Sequence, residues 1–207
     1  MDVREESFLP GRRHTRAWVF GSMLLSALVS LTASLVLSID AVVLAADAGT
    51  ELACDINAVI SCGSVAESWQ AQLLGFPNAF LGLMAEPVVI TIAVASLGGV
   101  RFPRWFMAGA QAVYTIGLLF AYWLFAQSYL VIHALCPWCL LVTVSTTVVW
   151  VTLLHWNVME DNLYLPRRVQ RWALGLVRID ADVYLTLAWL ILLAAAVLLR
   201  YGAALFA

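Results

Sequence analysis

Five long apolar runs take up most of the chain and constrain its fold more than any other feature. Each run can cross the hydrocarbon core of a bilayer as an α-helix, which needs about 20 apolar residues. Of the 207 residues, 63% are hydrophobic and 12% are charged, whereas soluble domains contain about 25% charged residues. The sequence therefore predicts an all-α integral membrane protein with spans at 18–39 (continuing past Asp40 to residue 46), 79–97, 106–132, 137–156 and 183–199.

The basic residues predict the orientation of these spans, because positively charged loops stay in the cytoplasm. All eleven are arginines, and all but Arg200 precede the first span or lie between spans two and three or spans four and five. The segments 47–78 and 133–136 contain none. We therefore expect a cytoplasmic N-terminus and place both segments on the extracytoplasmic side. No basic stripe with interleaved aromatic residues is present, so a nucleic-acid partner is not expected.

A C-x-x-C motif opens the fourth apolar run. It reads Cys136-Pro137-Trp138-Cys139, and Pro137 suits the first position of a helix. The spacing puts the two sulfurs about one helical turn apart, close enough to form a disulfide. They also lie near the positive end of a helix dipole, which stabilises a thiolate. This pattern is typical of a redox-active dithiol, in which Cys139 lies deeper and faces a lipid-soluble electron acceptor.

A second cysteine pair, Cys54 and Cys62, lies in the polar loop 47–78 on the same side. The two cysteines can pair with each other or exchange with the C-x-x-C pair. A purely structural disulfide is one alternative. A zinc site is another, but structural zinc sites prefer two short C-x2–4-C knuckles, so no metal is expected. Two dithiols on an oxidising side of the membrane predict an electron relay.

Taken in order, these motifs resemble the vitamin K epoxide reductase family in its bacterial form. The matching positions are Cys54-Asp55, Ile60-Ser61-Cys62, Val65, Ser68, Asn78-x3-Gly82 and Cys136-x-x-Cys139. The resemblance covers residues 15–157, which implies a four-helix transmembrane bundle with a fifth, peripheral helix. The expected segments are a cytoplasmic N-terminus (1–16), the core (17–157, with its outer loop 47–78), a cytoplasmic linker (158–182) and the fifth helix (183–207).

The resemblance implies a role for each matched cysteine. Cys54 corresponds to the outer cysteine that exchanges with a reduced thioredoxin-like partner. Cys62 corresponds to a shuttle cysteine that reacts with Cys136. Cys139 corresponds to the thiolate beside a quinone ring, and Asn78 to a residue that hydrogen-bonds a quinone oxygen. The implied electron acceptor is a membrane quinone of the menaquinone, ubiquinone or vitamin K type.

Two further positions concern the quinone region and the partner. Ser68 corresponds to a residue of a short half-helix that shapes the electron-transfer region. Vertebrate members carry a tyrosine four residues after the last cysteine, where it contacts the quinone, and this chain has the shorter Thr143. Bacterial members often carry a fused thioredoxin domain after the fifth helix. Because this sequence stops at Ala207, a separate periplasmic thioredoxin-like protein is expected as the partner.

Glu86 and His133 are candidates for a proton relay, because reducing a quinone to a quinol takes up two protons. Glu86 falls within the second span, where a carboxyl group is costly. It lies about 12 Å below Asn78 at a rise of about 1.5 Å per residue. The alternative for Glu86 is a protonated side chain hydrogen-bonded across the bundle. His133 lies three residues before Cys136 and could pass a proton or stabilise a thiolate.

The sequence thus predicts a thiol oxidoreductase of a bacterial cell membrane, embedded in lipid. It would oxidise a periplasmic thioredoxin-like protein and pass electrons through both cysteine pairs to a membrane quinone, in support of disulfide-bond formation. Two alternatives stay open. The same residues could serve an epoxide reductase of vitamin K recycling, although Thr143 and the fifth span argue against it. A non-enzymatic membrane protein could hold the cysteines as structural bridges or as metal ligands.

Overall fold

Continuous helices account for nearly all of the apolar sequence, as a bilayer requires of a spanning chain. The computed structural model describes residues 12–205. Residues 1–11, with Arg4 and most of the predicted segment 1–16, lie outside the described residues, as do residues 206–207 of the predicted segment 183–207. The described α-helices are α1 (Arg16–Ala46), α2 (Cys62–Ala66), α3 (Ala79–Leu97), α4 (Arg104–Gln127), α5 (Pro137–Met159), α6 (Arg167–Arg178) and α7 (Ala181–Leu205).

The five predicted membrane spans are confirmed. The helices α1, α3, α4, α5 and α7 are long and apolar enough to cross a membrane, and residues 12–205 contain no β-strand. α4 continues through a π-helical segment (Ser128–Ile132), which ends at His133 in a left-handed conformation with φ 60°. The chain is therefore a multi-pass, all-α membrane protein.

α1 is the central helix of the bundle. It packs lengthwise against α3 on one side and α5 on the other, and α5 also packs against α4. The core that these helices share is apolar: Phe20, Met23, Ala27, Val89, Ile92, Ala93, Met107, Tyr114, Val149 and Leu153. α3 and α4 follow each other in the chain but are not among the closely packed helix pairs of the described residues. The space between them becomes part of a cavity.

α7 lies outside the four-helix core, as the sequence predicts, and contacts α5 and α6. Specific polar contacts hold it there. Asp182 Oδ2 lies 2.6 Å from His155 Nδ1, and the Tyr129 hydroxyl donates to the Ala196 carbonyl at 3.1 Å. In lipid, where apolar side chains gain little by meeting each other, such hydrogen bonds position a helix.

The segment 158–182 contains a short amphipathic helix, α6, which packs against α5 and α7. Gln170 is buried and its side chain donates to the Val158 carbonyl at 2.6 Å, whereas Trp172 is exposed. The helix also carries all four arginines of the predicted linker. A basic amphipathic helix with an exposed tryptophan is typical of a helix that lies on a membrane surface.

The closest contact between α1 and α3 depends on a glycine. A Cβ atom added to Gly82 would lie 2.1 Å from Ser34 Oγ and 2.7 Å from Ser34 Cβ. Small residues allow helices to approach closely within a bilayer. The glycine of the Asn78-x3-Gly82 motif is therefore explained by helix packing. Gly82 lets α3, which Asn78 precedes, lie close to α1.

We expect Gly82→Ala to reduce the free energy of unfolding by about 1–3 kcal/mol, because the added methyl group overpacks the α1–α3 contact. The thermal midpoint of the detergent-solubilised protein measures this. Gly109→Ala in α4 is the matched control, since a Cβ there meets nothing within 4 Å. Adding Ser34→Gly to Gly82→Ala should restore most of the loss. An unchanged midpoint in Gly82→Ala would contradict the packing assigned to this contact.

Candidate functional site

A short backbone bridge joins the two cysteine-bearing segments. The Ser61 N–H donates to the Leu135 carbonyl at 3.2 Å, and the Leu135 N–H donates to the Val59 carbonyl at 2.6 Å. Each strand-like segment ends at a cysteine, Cys62 in one and Cys136 in the other. The bridge therefore fixes these two cysteines side by side, although they are far apart in the sequence.

All four cysteines lie in one packed cluster. Cys54 and Cys62 form a disulfide, whereas Cys136 and Cys139 are free thiols. Cys54, Cys62 and Cys136 are buried against Leu52, and Cys139 packs against this group. The predicted meeting of the two pairs thus has a structural basis in the packing of the loop on the start of α5.

Asp55 orders the disulfide loop from within. Its Oδ1 accepts hydrogen bonds from the Ser61 hydroxyl at 2.8 Å and from the Gly63 N–H at 2.9 Å, and its Oδ2 accepts from the Leu52 N–H at 2.9 Å. Burial by itself raises the pKa of this carboxyl, but the hydrogen bonds outweigh it and hold the pKa of Asp55 below its usual value. The aspartate that follows Cys54 is therefore a structural residue of the loop.

The C-x-x-C motif begins α5 as the sequence predicts. Pro137 occupies the first turn, and Cys136 is the N-cap, whose sulfur accepts from the Cys139 N–H at 3.3 Å. A hydrogen bond from the Cys139 thiol lowers the pKa of Cys136, and the backbone N–H groups of Cys139 and Trp138 act in the same direction against burial and the Asp40 carboxylate. In the dithiol state, the thiolate is therefore favoured on Cys136.

A cavity of about 530 Å³ extends from the cysteine cluster into the bundle. Its volume lies within the range of about 300–1,000 Å³ that is usual for small-molecule sites. Cys62, Cys136 and Cys139 line one end. Most of the remaining wall is apolar and comes from α1, α3, α4 and α5. The arrangement places three sulfurs at the boundary of a space suited to an apolar ligand.

The cavity opens towards the surrounding lipid between α3 and α4. Met84 of α3 and Val113 and Ile116 of α4 line it, and these residues are 61%, 67% and 69% exposed. Helices that pack closely would bury such residues. A lipid-soluble molecule can therefore reach the cavity sideways without passing through water.

Asn78 lines the cavity near the sulfurs, as the resemblance implies. Its Nδ2 donates to the Gln70 carbonyl at 2.6 Å, which fixes the orientation of the amide. Its Oδ1 is buried and has no hydrogen-bond partner among the described residues. Because a buried polar atom without a partner is costly, a ligand that donates to Oδ1, such as a quinol hydroxyl, would relieve this cost.

Ser68 and Thr143 differ in their placement. Ser68 lines the cavity, and its hydroxyl donates to the Val65 carbonyl at 2.6 Å, which leaves the oxygen free to accept. Thr143 is buried but is not among the described residues that line the cavity. Its hydroxyl donates to the Cys139 carbonyl at 2.9 Å, one turn back along α5. A contact between Thr143 and a quinone stays a prediction that this placement does not favour, because the hydroxyl bonds within its own helix.

Glu86 lines the cavity at membrane depth and is 4% exposed. Its Oε1 accepts from the Ser30 hydroxyl at 2.8 Å and the Tyr114 hydroxyl at 3.1 Å, so the side chain is hydrogen-bonded across the bundle. Its Oε2 is buried with no partner in the described part of the chain. Glu86 is thus anchored between helices at the cavity wall, with one carboxyl oxygen left without a partner.

His133 is not among the described residues that line the cavity, so its part in proton transfer stays a prediction. It is exposed, and its Nδ1 accepts a hydrogen bond from Arg200 at 3.1 Å. His133 adopts a left-handed conformation where the π-helical segment ends. Arg200, the one arginine outside the cytoplasmic pattern, also lies 4.7 Å above the Tyr129 ring and so helps to hold the end of α7.

Several cavity residues escaped sequence reasoning. Gln70 is buried and holds Asn78 through its backbone carbonyl. Ser30, Tyr114 and Thr146 surround Glu86. None belongs to a motif, and hydropathy alone does not reveal which turns of separate helices lie at the same depth. Among residues 12–205, no cluster of three or more His, Cys, Asp and Glu side chains is arranged to hold a metal ion.

A comparison with known protein families gives a match. The model of the vitamin K epoxide reductase family matches residues 22–154, which cover α1 to α5 except for the outermost turns of α1 and α5. No curated protein matches the chain. The matched region contains all four cysteines and nearly the whole cavity wall.

We expect Asp55→Asn to destabilise the disulfide loop by about 1 kcal/mol at neutral pH, because partly solvated hydrogen bonds to a carboxylate are lost. A carboxyl with a lowered folded-state pKa stabilises the fold above its unfolded pKa, and this contribution is lost as pH falls through the folded-state value. The difference in thermal midpoint between wild type and Asp55→Asn should therefore shrink in acid. Glu67→Gln, an exposed acid of the same loop, is the control. A difference that is constant with pH would contradict the role of Asp55.

The backbone bridge predicts which sulfurs can be cross-linked. In a variant with Cys54→Ala and Cys139→Ala, we expect the remaining Cys62 and Cys136 to form a disulfide under mild oxidation. Mass spectrometry of non-reduced peptides detects the link. The matched control combines Cys62→Ala with Cys139→Ala and should give little linkage between Cys54 and Cys136. The opposite preference would show that the bridge does not set the pairing.

Proposed function

The chain belongs to the vitamin K epoxide reductase family, whose members are membrane oxidoreductases, and on this premise we propose that it oxidises thiols at the expense of a membrane quinone. The single observation that supports this most is the packing of two cysteine pairs at one end of an apolar cavity that opens to lipid. The thiols of a donor protein are in water and the quinone is in lipid. Electrons can pass between them only at a site that both can reach.

Burial supports an order of transfer among the cysteines. Cys54 is 9% exposed and does not line the cavity in the described chain, whereas Cys62 is 1% exposed and does line it. A partner protein therefore reaches Cys54 more easily than Cys62. In the proposed exchange, a partner thiolate attacks Cys54, the Cys54–Cys62 bond breaks, and Cys62 leaves as the thiolate. A second thiol of the partner then releases it as a disulfide.

The Cys62 thiolate next attacks Cys136 of an oxidised C-x-x-C pair. This forms a Cys62–Cys136 bond and releases Cys139 as a thiolate. Attack by Cys54 on Cys62 restores the outer disulfide and frees Cys136, so the pair of electrons now resides in the Cys136–Cys139 dithiol. While Cys136 is held in the mixed disulfide, it cannot accept the hydrogen bond from Cys139. Both cysteines of the resulting dithiol line the cavity, and together they supply the two electrons to an acceptor bound there.

The acceptor in this proposal is a quinone of the menaquinone, ubiquinone or vitamin K type. When bound, it takes two electrons and two protons and leaves as a quinol. The second N–H of the Asn78 amide can donate to the quinone oxygen at that end, and Asn78 Oδ1 and Ser68 Oγ can accept from the hydroxyl of the quinol. Of the two candidates for proton supply, Glu86 suits the role, because it lines the cavity and His133 does not.

The distribution of arginines supports an orientation with the cysteines outside the cytoplasm. We propose that the protein lies in a bacterial cell membrane, with the N-terminus in the cytoplasm. The donor would be a separate periplasmic thioredoxin-like protein, which in turn would introduce disulfide bonds into secreted proteins. Exposed Ile56, two residues after Cys54, is available as an apolar contact for such a donor.

Anaerobic quinone reduction tests this proposal. The purified protein is mixed with a reduced thioredoxin-like donor and a quinone, and quinol formation is followed by absorbance. We expect Cys139→Ala to lose all activity. Cys54→Ala should lose activity with the protein donor but regain it with dithiothreitol, a thiol small enough to bypass the outer cysteine.

Ser145→Ala is the matched control for Cys139→Ala, because Ser145 is buried in the same helix and does not line the cavity in the described chain. It should retain wild-type activity. If the wild type reduces no quinone of the three types, the oxidoreductase proposal fails. If Cys139→Ala stays active, the assigned path of the electrons is wrong.

A further inference from the structure

Each of the four core helices contributes one polar side chain to a single cluster at the deep end of the cavity. Ser30 comes from α1, Glu86 from α3, Tyr114 from α4 and Thr146 from α5. All four are buried, and Glu86, Tyr114 and Thr146 line the cavity. Polar groups at membrane depth are costly unless they pair or serve a function. A cluster of four such side chains at one depth therefore indicates a site that binds a ligand or transfers a proton.

The direction of the hydrogen bonds identifies which Glu86 oxygen is free. Both Ser30 and Tyr114 donate to Oε1, so that oxygen acts only as an acceptor. Thr146 lies beside the Tyr114 phenol and supports its donation to Glu86. A carboxyl group in apolar surroundings is held neutral by the cost of burying a charge. Its proton therefore belongs on Oε2, the oxygen that has no partner in the described chain.

The spacing between Asn78 and Glu86 along the helix matches one class of ligand. Asn78 and Glu86 are separated by eight residues of α3, about 12 Å along the helix. A 1,4-quinone carries two C=O bonds of about 1.2 Å on opposite corners of a six-membered ring, and with a hydrogen bond of about 2.8 Å at each end it spans roughly 11 Å. A 1,2-quinone has both oxygens on one side and cannot span this distance.

The geometry points to Glu86 as the group that holds and protonates the far oxygen of a 1,4-quinone. This inference rests on the proposed function. The near oxygen accepts from the second N–H of Asn78 Nδ2, whose first N–H donates to the Gln70 carbonyl. The far oxygen accepts the Oε2–H hydrogen bond of Glu86. Ser30 and Tyr114 are positioning residues, because they act through the orientation of the carboxyl group.

The step balances in atoms and electrons. The Cys136–Cys139 dithiol supplies two electrons and becomes a disulfide, and its two thiols release two protons. The Oε2–H bond of Glu86 breaks as the proton moves to the far oxygen. One thiol proton is taken up at the near oxygen. The other restores Glu86 to its acid form, so no external oxidant, reductant or proton source is needed.

Two substitutions of Glu86 separate binding from proton transfer. Glu86→Gln keeps a hydrogen-bond donor of the same shape but removes the transferable proton. We expect its kcat for 1,4-naphthoquinone to fall about 100-fold, with the KM changed less than about threefold. Glu86→Leu also removes the donor, and the Kd for 1,4-naphthoquinone should rise about tenfold.

Ligand binding is measured independently of turnover by the shift in thermal midpoint on titration with 1,4-naphthoquinone. The comparison ligand is 1-tetralone, which has the fused rings but a single carbonyl. Its Kd should change by no more than about twofold in Glu86→Leu, because one carbonyl can still pair at the Asn78 end. An equal loss of affinity for both ligands would overturn the assignment of the far oxygen to Glu86.

Tyr114→Phe tests the positioning of the carboxyl group. Because the phenol donates to Oε1, its loss should lower kcat about tenfold while the Kd for 1,4-naphthoquinone stays within about twofold. Ser38→Ala is the control, since Ser38 is a buried serine of α1 whose hydroxyl bonds within its own helix and which does not line the cavity in the described chain. A wild-type kcat in both Glu86→Gln and Tyr114→Phe would overturn the inference.

A quinone-free assay distinguishes this inference from the proposed function. Disulfide transfer from the oxidised protein to the reduced donor, in a single turnover without quinone, involves the cysteines alone and should proceed at the wild-type rate in Glu86→Gln. If thiol exchange and quinone reduction both occur in the wild type but Glu86→Gln reduces quinone normally, the inference fails and the function stands. If the wild type reduces no quinone, both fail.

Discussion

The backbone bridge between residues 59–61 and Leu135 is the interaction on which the rest of the site depends. The Cys54–Cys62 disulfide closes only a local loop and does not attach that loop to the bundle. The two backbone hydrogen bonds provide this attachment, and they do so next to the cysteines that must meet. Since the bridge uses main-chain groups, it places no demand on the side chains of residues 59 and 60, whereas the Ser61 hydroxyl also bonds Asp55.

The buried polar side chains of the bundle lie at contacts between helices. α1 carries Ser30 and Ser34 on the face that packs against α3, and each has a specific contact, with Glu86 and Gly82 respectively. The lipid-facing sides of the helices are apolar, as the hydropathy predicts. In a medium without water, a buried hydroxyl or carboxyl group must find a partner within the protein. The pairing of Glu86 with Ser30 and Tyr114 thus also fixes the relative heights of α1, α3 and α4.

The spans and the start of α5 follow from the sequence, because hydropathy and Pro137 act locally. The placement of Asn78 and Ser68 on the cavity follows from the motif that they share with the family. Tyr114, Thr146 and Gln70 could not be found, because their importance arises from the heights at which separate helices pack. Thr143 and His133 lie off the cavity wall of the described chain, which the sequence could not show for a related reason. The sequence gives only their distance along the chain from a cysteine. It does not reveal that the Thr143 hydroxyl bonds within its own helix or that His133 is exposed.

Because the cavity opens between α3 and α4, the relevant ligand concentration is the one in the membrane and not the one in water. A ligand that enters through Met84, Val113 and Ile116 comes from the hydrocarbon phase, where it is already enriched by partitioning. Turnover then depends on the mole fraction of the acceptor among the lipids and on its lateral diffusion in two dimensions. Diluting the membrane with more lipid would slow the reaction even when the amounts of protein and acceptor in the vessel are unchanged.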